Sequence, residues 1–276
     1  MSASPVPPTP PPGPRSARPN VAVTLDGEEV LAFPGETVLA LARRLGVPIP
    51  TLCQLDGVSV YGGCRLCVVE VEGEHRLPLA CATEVSADME VRSTSAELRD
   101  HRRRIVALLF AEGSHVCAAC VASGACELQD LATETGVDHV PYELTFPSHE
   151  VDASHPFFVL DRDRCVLCTR CVRVCDEIEG AHVWDIAQRG SDARLIAGMD
   201  QPWGEVASCT SCGKCVAACP TGALYHQGTA SGERRPDPGL IAFLADARAG
   251  VWEPRDNGAV SQPRDAAGPH EQGTTP

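Results

Sequence analysis

Residues 164–180 read RCVLCTRCVRVCDEIEG, and residues 208–224 read SCTSCGKCVAACPTGAL. Each stretch spaces four cysteines as C-x2-C-x2-C-x3-C: Cys165, Cys168, Cys171 and Cys175 in the first, Cys209, Cys212, Cys215 and Cys219 in the second. In iron–sulfur proteins with two such runs, each run gives three thiolates to one four-iron cube and its fourth to the other. The spacing therefore predicts one cluster on Cys165, Cys168, Cys171 and Cys219, and another on Cys209, Cys212, Cys215 and Cys175. A pair of zinc sites is the alternative, but three cysteines at successive two-residue spacings overfill a simple tetrahedral knuckle. Pro220 fixes φ after Cys219 and can turn the chain away from its cluster. After Cys175 the chain is expected to continue as helix, so no proline is needed there.

The other seven of the 15 cysteines form two further groups. Cys53, Cys64, Cys67 and Cys81 follow C-x10-C-x2-C-x13-C, with the outer ligands far from the central pair. That spread points to a two-iron cluster, with zinc or unliganded thiols as alternatives. Gly62 and Gly63 precede Cys64, and glycines there let backbone amides approach a cluster closely and tune it. His115, Cys117, Cys120 and Cys126 stand together in HVCAACVASGAC. Three thiolates plus a neutral imidazole would complete a third four-iron site, and the imidazole would raise its potential. The alternatives are a zinc site, or a histidine that caps a helix or faces water. With His115 as the sixteenth ligand, no thiol remains for a nucleophile or a further metal. The other histidines read as surface or structural.

The charge is strongly negative, −14, which argues against a nucleic-acid partner. Aromatics make up 4% of the residues, so cross-linking by clusters would have to help such small cores fold. No signal peptide is apparent, and the longest apolar run, IVALLFA at 105–111, is too short to cross a bilayer. A cytoplasmic protein with reduced thiols is expected, not an integral membrane protein.

An α+β architecture of three modules is expected. Residues 1–19 form a disordered Pro-rich arm. Residues 20–94 form a β-grasp two-iron module, with strands at VAVTL, EEVLAF, CVVEVEG, HRLPLACA and MEVRS and a helix ended by Gly46. Residues 95–140 form a small helical module, entered by a capping box of Thr94 and Glu97. Arg102–Arg104 read there as a solvated helix face. Residues 141–229 hold the two four-cysteine runs around a hairpin, and 230–276 a mostly disordered tail with a short helix. No G-x-G-x-x-G, P-loop or G-x-S-x-G motif occurs.

In this order the motifs resemble the large iron–sulfur subunit of NADH–quinone oxidoreductase, the N-terminal part of iron-only hydrogenases, and the small diaphorase subunit of NAD(P)-reducing nickel–iron hydrogenases, the family called HoxU. The phrases RCVLCTRCVRVCDEIEGAHVWDI and CTSCGKCVAACPTGAL, and the single residue between His115 and Cys117, look most like the last. That resemblance implies an oxidoreductase subunit with one [2Fe-2S] and three [4Fe-4S] clusters, catalysing no substrate chemistry of its own. It would relay electrons between a diaphorase partner carrying FMN and NAD(P) and nickel–iron hydrogenase subunits. A soluble NAD-dependent formate dehydrogenase or NADH dehydrogenase would use an equivalent subunit. A free electron carrier and a colourless zinc scaffold are the remaining readings; four clusters exceed what a free carrier needs, and the short helix near the C-terminus, which would dock on a partner or on the body, also counts against it.

Overall fold

The computed structural model describes residues 19–250. The expected Pro-rich arm, apart from residue 19, and residues 251–276 of the expected tail lie outside them.

The first module is a mixed sheet crossed by one helix. β1 (Val21–Leu25) and β2 (Glu28–Ala32) form the expected hairpin, in which Asp26 and Gly27 both take positive φ. α1 (Val38–Arg44) starts at Thr37, whose side chain accepts from the Ala40 amide at 3.2 Å. It buries Val38, Leu39, Leu41 and Ala42. β3 (Glu70–Val71) and β4 (Met89–Arg92) complete the sheet in the order β2-β1-β4-β3, with β1 and β4 parallel. The strand expected across HRLPLACA reduces to one bridge, Leu79 to Val68, because the loop bends to bring Cys81 beside Cys67.

The second module packs α2 (Ala96–Glu112) against α3 (Glu127–Thr135). Ser95, not Thr94, caps α2: its hydroxyl accepts from the Leu98 amide at 3.1 Å. The Arg102–Arg104 face is not uniformly solvated. Arg102 is buried and donates to the carbonyls of Leu66, Val68 and Ser93 at 2.9–3.2 Å, which ties α2 to the backbone on either side of Cys67.

In the third module β5 (Phe158–Leu160) pairs with a strand from the far end of the same module. α4 (Arg170–Arg173) runs into a π-helical turn over Val174–Glu179, which Gly180 ends at φ +75°. This is the helical continuation expected after Cys175, in a wider form that is frequent at functional sites. The hairpin of β6 (Trp184–Ala187) and β7 (Arg194–Ala197) follows as expected. α5 (Lys214–Ala218) leads to β8 (Leu224–His226), the partner of β5.

Residues 230–250 are packed on the body instead of trailing from it. Buried Arg234 donates to the carbonyls of Leu224, Val216 and Cys219. α6 (Gly239–Arg248) seats Ile241 among Leu55, Val174, Ile178 and Ala218, across the seam of the first and third modules. At Gly57 a Cβ would lie 2.8 Å from the Ala245 Cβ, so this close approach needs glycine. The C-terminal helix therefore docks in cis, and it no longer counts as evidence for a docked partner.

Candidate metal centres

The two four-cysteine runs fold as local copies of one another. In the first, Leu167 and Thr169 have φ of +50° and +59°; at the equivalent positions of the second, Ser211 and Gly213 have +57° and +70°. Non-glycine residues pay for this left-handed geometry, which turns three cysteine side chains inward. The fourth position of each run then departs, and the runs interleave. Cys165, Cys168, Cys171 and Cys219 line one pocket of about 350 Å³. Cys175, Cys209, Cys212 and Cys215 line another of about 320 Å³. These are the two groupings the spacing predicts.

In both pockets N–H groups approach sulfur. The Leu167 amide lies 3.4 Å from the Cys165 sulfur, and the Val183 amide donates to Cys175 at 3.3 Å. Trp203 donates its indole N–H to Cys209 at 3.3 Å. His155 packs on Phe158 and Trp203 with Nε2 3.8 Å from the same sulfur. Burial and the charge of neighbouring thiols push Cys165 up to about 12 and Cys168 up to about 11. Ionising these two thiols is thus opposed by burial and by neighbouring negative sulfur, an effect that a cationic iron–sulfide core would offset.

His115, Cys117, Cys120 and Cys126 line a third pocket, of about 280 Å³. His115 Nε2 is buried without a hydrogen-bond partner. Burial first, then the Arg164 charge, hold the imidazole down to about 4, so it is neutral with a free lone pair. The backbone leaves room for these atoms only through glycine: a Cβ on Gly113 would stand 2.3 Å from His115 Nε2, and one on Gly222 2.6 Å from the Cys120 sulfur. A buried imidazole with one unpaired ring nitrogen, its other side hydrogen-bonded to the Leu109 backbone, stands beside three cysteines and fits a metal-ligand set.

In the first module Cys53, Cys64, Cys67 and Cys81 converge as two hydrogen-bonded pairs, with the Cys67 and Cys81 sulfurs 3.3 Å apart. The Cys53 thiol holds Cys64 down to about 5 against the effect of burial, and Cys81 lowers Cys67 in the same way. Backbone hydrogen bonds at Leu66, Cys53 and Leu52 also favour the Cys64 thiolate. Gly62 and Gly63 lie in the preceding loop; Gly63 is further constrained by the Tyr61 ring, 2.0 Å from where its Cβ would be.

Among the described residues, no three His, Cys, Asp or Glu side chains converge as a single ion requires. Four donors facing one pocket are a set that would suit an iron–sulfur cluster, whereas zinc would hold its ligands within about 2.3 Å of a single ion.

The sites are joined by arginines that sequence reasoning did not single out. Arg170 makes a two-pronged pair with Glu127 at 2.6 and 2.7 Å, linking the second and third modules. Arg164 pairs with Asp161 at 2.6 Å and lies beside Cys120. Arg173 reaches from α4 to the Cys53 carbonyl. The arginines interleaved with the cysteines of the first run were the one visible signal. Trp203 and His155 had none, because their sulfur contact is made through the fold.

Family models match three consecutive stretches: a 2Fe-2S iron–sulfur cluster binding domain over residues 18–96, the NADH-ubiquinone oxidoreductase-G iron–sulfur binding region over 102–141, and the ferredoxin-like domain of NADH-quinone oxidoreductase subunit 3 over 155–225. The NADP-reducing hydrogenase subunit HndD of Solidesulfovibrio fructosivorans is 36% identical over 84% of this chain and 41% of its own. The gamma subunit of the NAD-reducing hydrogenase HoxS of Cupriavidus necator is 35% identical over 75% of this chain and 88% of its own. A chain in the crystal structure of an NAD+-reducing [NiFe]-hydrogenase in the H2-reduced state superposes with a TM-score of 0.72 at 37% identity, covering 76% of this chain and 88% of that one. This chain spans less than half of HndD, and about a quarter of the alpha subunit of the NADPH-Fe(3+) oxidoreductase of Geobacter sulfurreducens.

Proposed function

The chain belongs to the family of the NAD-reducing hydrogenase gamma subunit, and from that premise we propose that it is the electron-transfer subunit of an NAD(P)-linked hydrogenase. A flavin-containing diaphorase subunit, carrying FMN and binding NAD(P), would lie on one side and nickel–iron hydrogenase subunits on the other. In this reading one [2Fe-2S] cluster is held by Cys53, Cys64, Cys67 and Cys81. Three [4Fe-4S] clusters are held by His115 with Cys117, Cys120 and Cys126, by Cys165, Cys168, Cys171 and Cys219, and by Cys175, Cys209, Cys212 and Cys215. When bound, such clusters accept and release single electrons.

The observation that carries the reading is the interleaving of the two runs, in which each set of four takes its last cysteine from the other run. The chain's own residues hold the thiolates, donate N–H groups to sulfur and keep water out. The Cys165–Cys168–Cys171–Cys219 site is the meeting point. Thr221 lines both this pocket and the His115 pocket, and Arg173 links Cys168 to Cys53. Cys212 is the one exposed cysteine, so the edge around it is the natural contact for a partner. Among the described residues no helix is long and apolar enough to cross a membrane; a cytoplasmic location is part of the proposal.

Anaerobic pull-down of the tagged chain from its native host, with mass spectrometry and iron and sulfide analysis, tests this. A flavin diaphorase, nickel–iron hydrogenase subunits and about 14 irons per chain are expected. A molybdenum formate dehydrogenase in place of the hydrogenase would replace the terminal acceptor. A colourless, iron-free chain would refute the relay.

A further inference from the structure

Three guanidiniums, those of Arg102, Arg173 and Arg234, are buried with only neutral hydrogen-bond partners among the described residues. A buried cation without a carboxylate is costly unless negative charge lies nearby. Arg102 grips carbonyls beside Cys67, and Arg234 grips carbonyls at Val216, Cys219 and Leu224.

Arg173 differs from both. It is 8% exposed and lies midway between Cys171 and Cys175. It donates to the Cys53 and Ser59 carbonyls at 2.5 Å and to the Cys168 carbonyl at 3.4 Å, while its Nε donates to the Thr169 hydroxyl at 3.3 Å. Cys53 and Cys168 belong to different sites in different modules. The neighbouring Arg170 and Arg164 are paired directly with Glu127 and Asp161, whereas Glu177, the one carboxylate among the described residues that acts on Arg173, is held by Ser59 and makes no hydrogen bond to the guanidinium.

We propose that Arg173 is a positioning residue shared by two electron-carrying sites: its single buried charge raises the reduction potential of both the Cys53 site and the Cys168 site, and its fork holds the two modules at a fixed separation. The inference rests on the cluster reading given above. Reduction adds negative charge to a site, so a nearby fixed cation stabilises the reduced form of each. Burial of the guanidinium limits screening by water and salt. The two Cys53-side bonds reach the module loop that also donates the Ser59 amide to Glu177 at 2.7 Å, so the seam is fastened from both partners.

The test uses the full-length, iron-loaded chain with Arg173→Met and Arg173→Lys, read by iron and sulfide content and by EPR-monitored redox titration. Arg173→Met is expected to keep its iron and to shift the reduction equilibrium of the two-iron centre and of one four-iron centre by about tenfold or more each, to lower potential; for a one-electron couple tenfold is about 59 mV. The other two four-iron centres should move less. Arg173→Lys retains the charge and should restore both potentials, while hydrogen exchange across residues 53–59 rises because one ammonium cannot span both carbonyls. A shift confined to one centre, or a lysine variant as displaced as the methionine variant, would overturn the shared-charge role. If Arg173→Met loses its iron, the lysine variant decides: potentials held near those of the unmodified chain support the proposal, and displaced potentials overturn it. An unmodified chain that carries no iron would instead refute the cluster reading, and this inference with it.

Discussion

Gly222→Ala adds one methyl group at the wall of the His115 site and isolates a steric effect. The Gly222 backbone lies outside the left-handed region, so alanine fits its conformation. By restricting the unfolded chain alone, it would stabilise the protein by about 0.4–1 kcal/mol. The new Cβ, however, would stand 2.6 Å from the Cys120 sulfur, 3.3 Å from Arg164 Cδ and 3.5 Å from Ala122 Cβ. Ordinary contact for such atoms begins near about 3.5 Å, so the sulfur or the loop must shift by about 1 Å. The loop has little freedom to shift: the Cys120 amide donates to Cys117, and its carbonyl accepts from Ser123 and Gly232, all at 3.0–3.1 Å. Overpacking of this kind costs about 1–3 kcal/mol, and here the cost falls on one proposed cluster ligand. Iron is therefore expected to fall from about 14 to about 10 per chain, with the spectra of the other centres retained. Iron and acid-labile sulfide analysis with low-temperature EPR reads the result. A variant with full iron and unaltered signals would refute both the close approach at Cys120 and its membership in the site.

Arg102→Met strips three carbonyls of a buried donor, and unfolding in guanidinium chloride should show a loss of about 2–4 kcal/mol once relief of the buried charge is counted. A loss below about 0.5 kcal/mol would show that water replaces the guanidinium without cost. Ile241→Ala removes the fully buried anchor of α6, at a cost of about 2–4 kcal/mol. Amides of residues 239–248 should then exchange freely while the visible absorption stays unchanged; unaltered protection would show that α6 is held by something else. Burial opposes ionisation of Asp152, but hydrogen bonds from Ser154 and the Trp203 amide outweigh it and hold the carboxyl below its ordinary value. Its stabilisation is present above about pH 4 and fades as pH falls through the lower folded value. Asp152→Asn should remove that part of the acid limb in a thermal melt series, and an unchanged acid limb would refute it.

Where ligand chemistry is local, the sequence was readable. Three of the four cysteines around each of the two interleaved pockets come from one run, and the rule for paired runs supplies the crossed fourth, so the two groupings that line the pockets are those expected from the sequence. Period-two and period-3.6 patterns located β1, β2, α1, α2, α3, the β6–β7 hairpin and α6, since those patterns report burial on one face. The errors fell where a nearby competitor or a tertiary partner decided. Thr94 and Ser95 are adjacent candidates for one cap, and the hydroxyl that can reach Leu98 wins. HRLPLACA alternates like a strand but must carry Cys81 to Cys67.

Residue types and spacing by themselves thus determined which side chains are candidates to hold clusters and in what order the modules follow, because coordination needs particular donors close together along the chain. Only the tertiary structure decided how the modules meet. Arg173 finds Cys53 across 120 residues and Arg102 finds Leu66 across 36, and no local pattern records such partners. The same holds for α6 across its seam, for the indole of Trp203 at Cys209 and for the unpaired nitrogen of His115. A buried polar group must find its partner wherever the folded chain presents one, and that location is fixed by packing rather than by separation along the sequence.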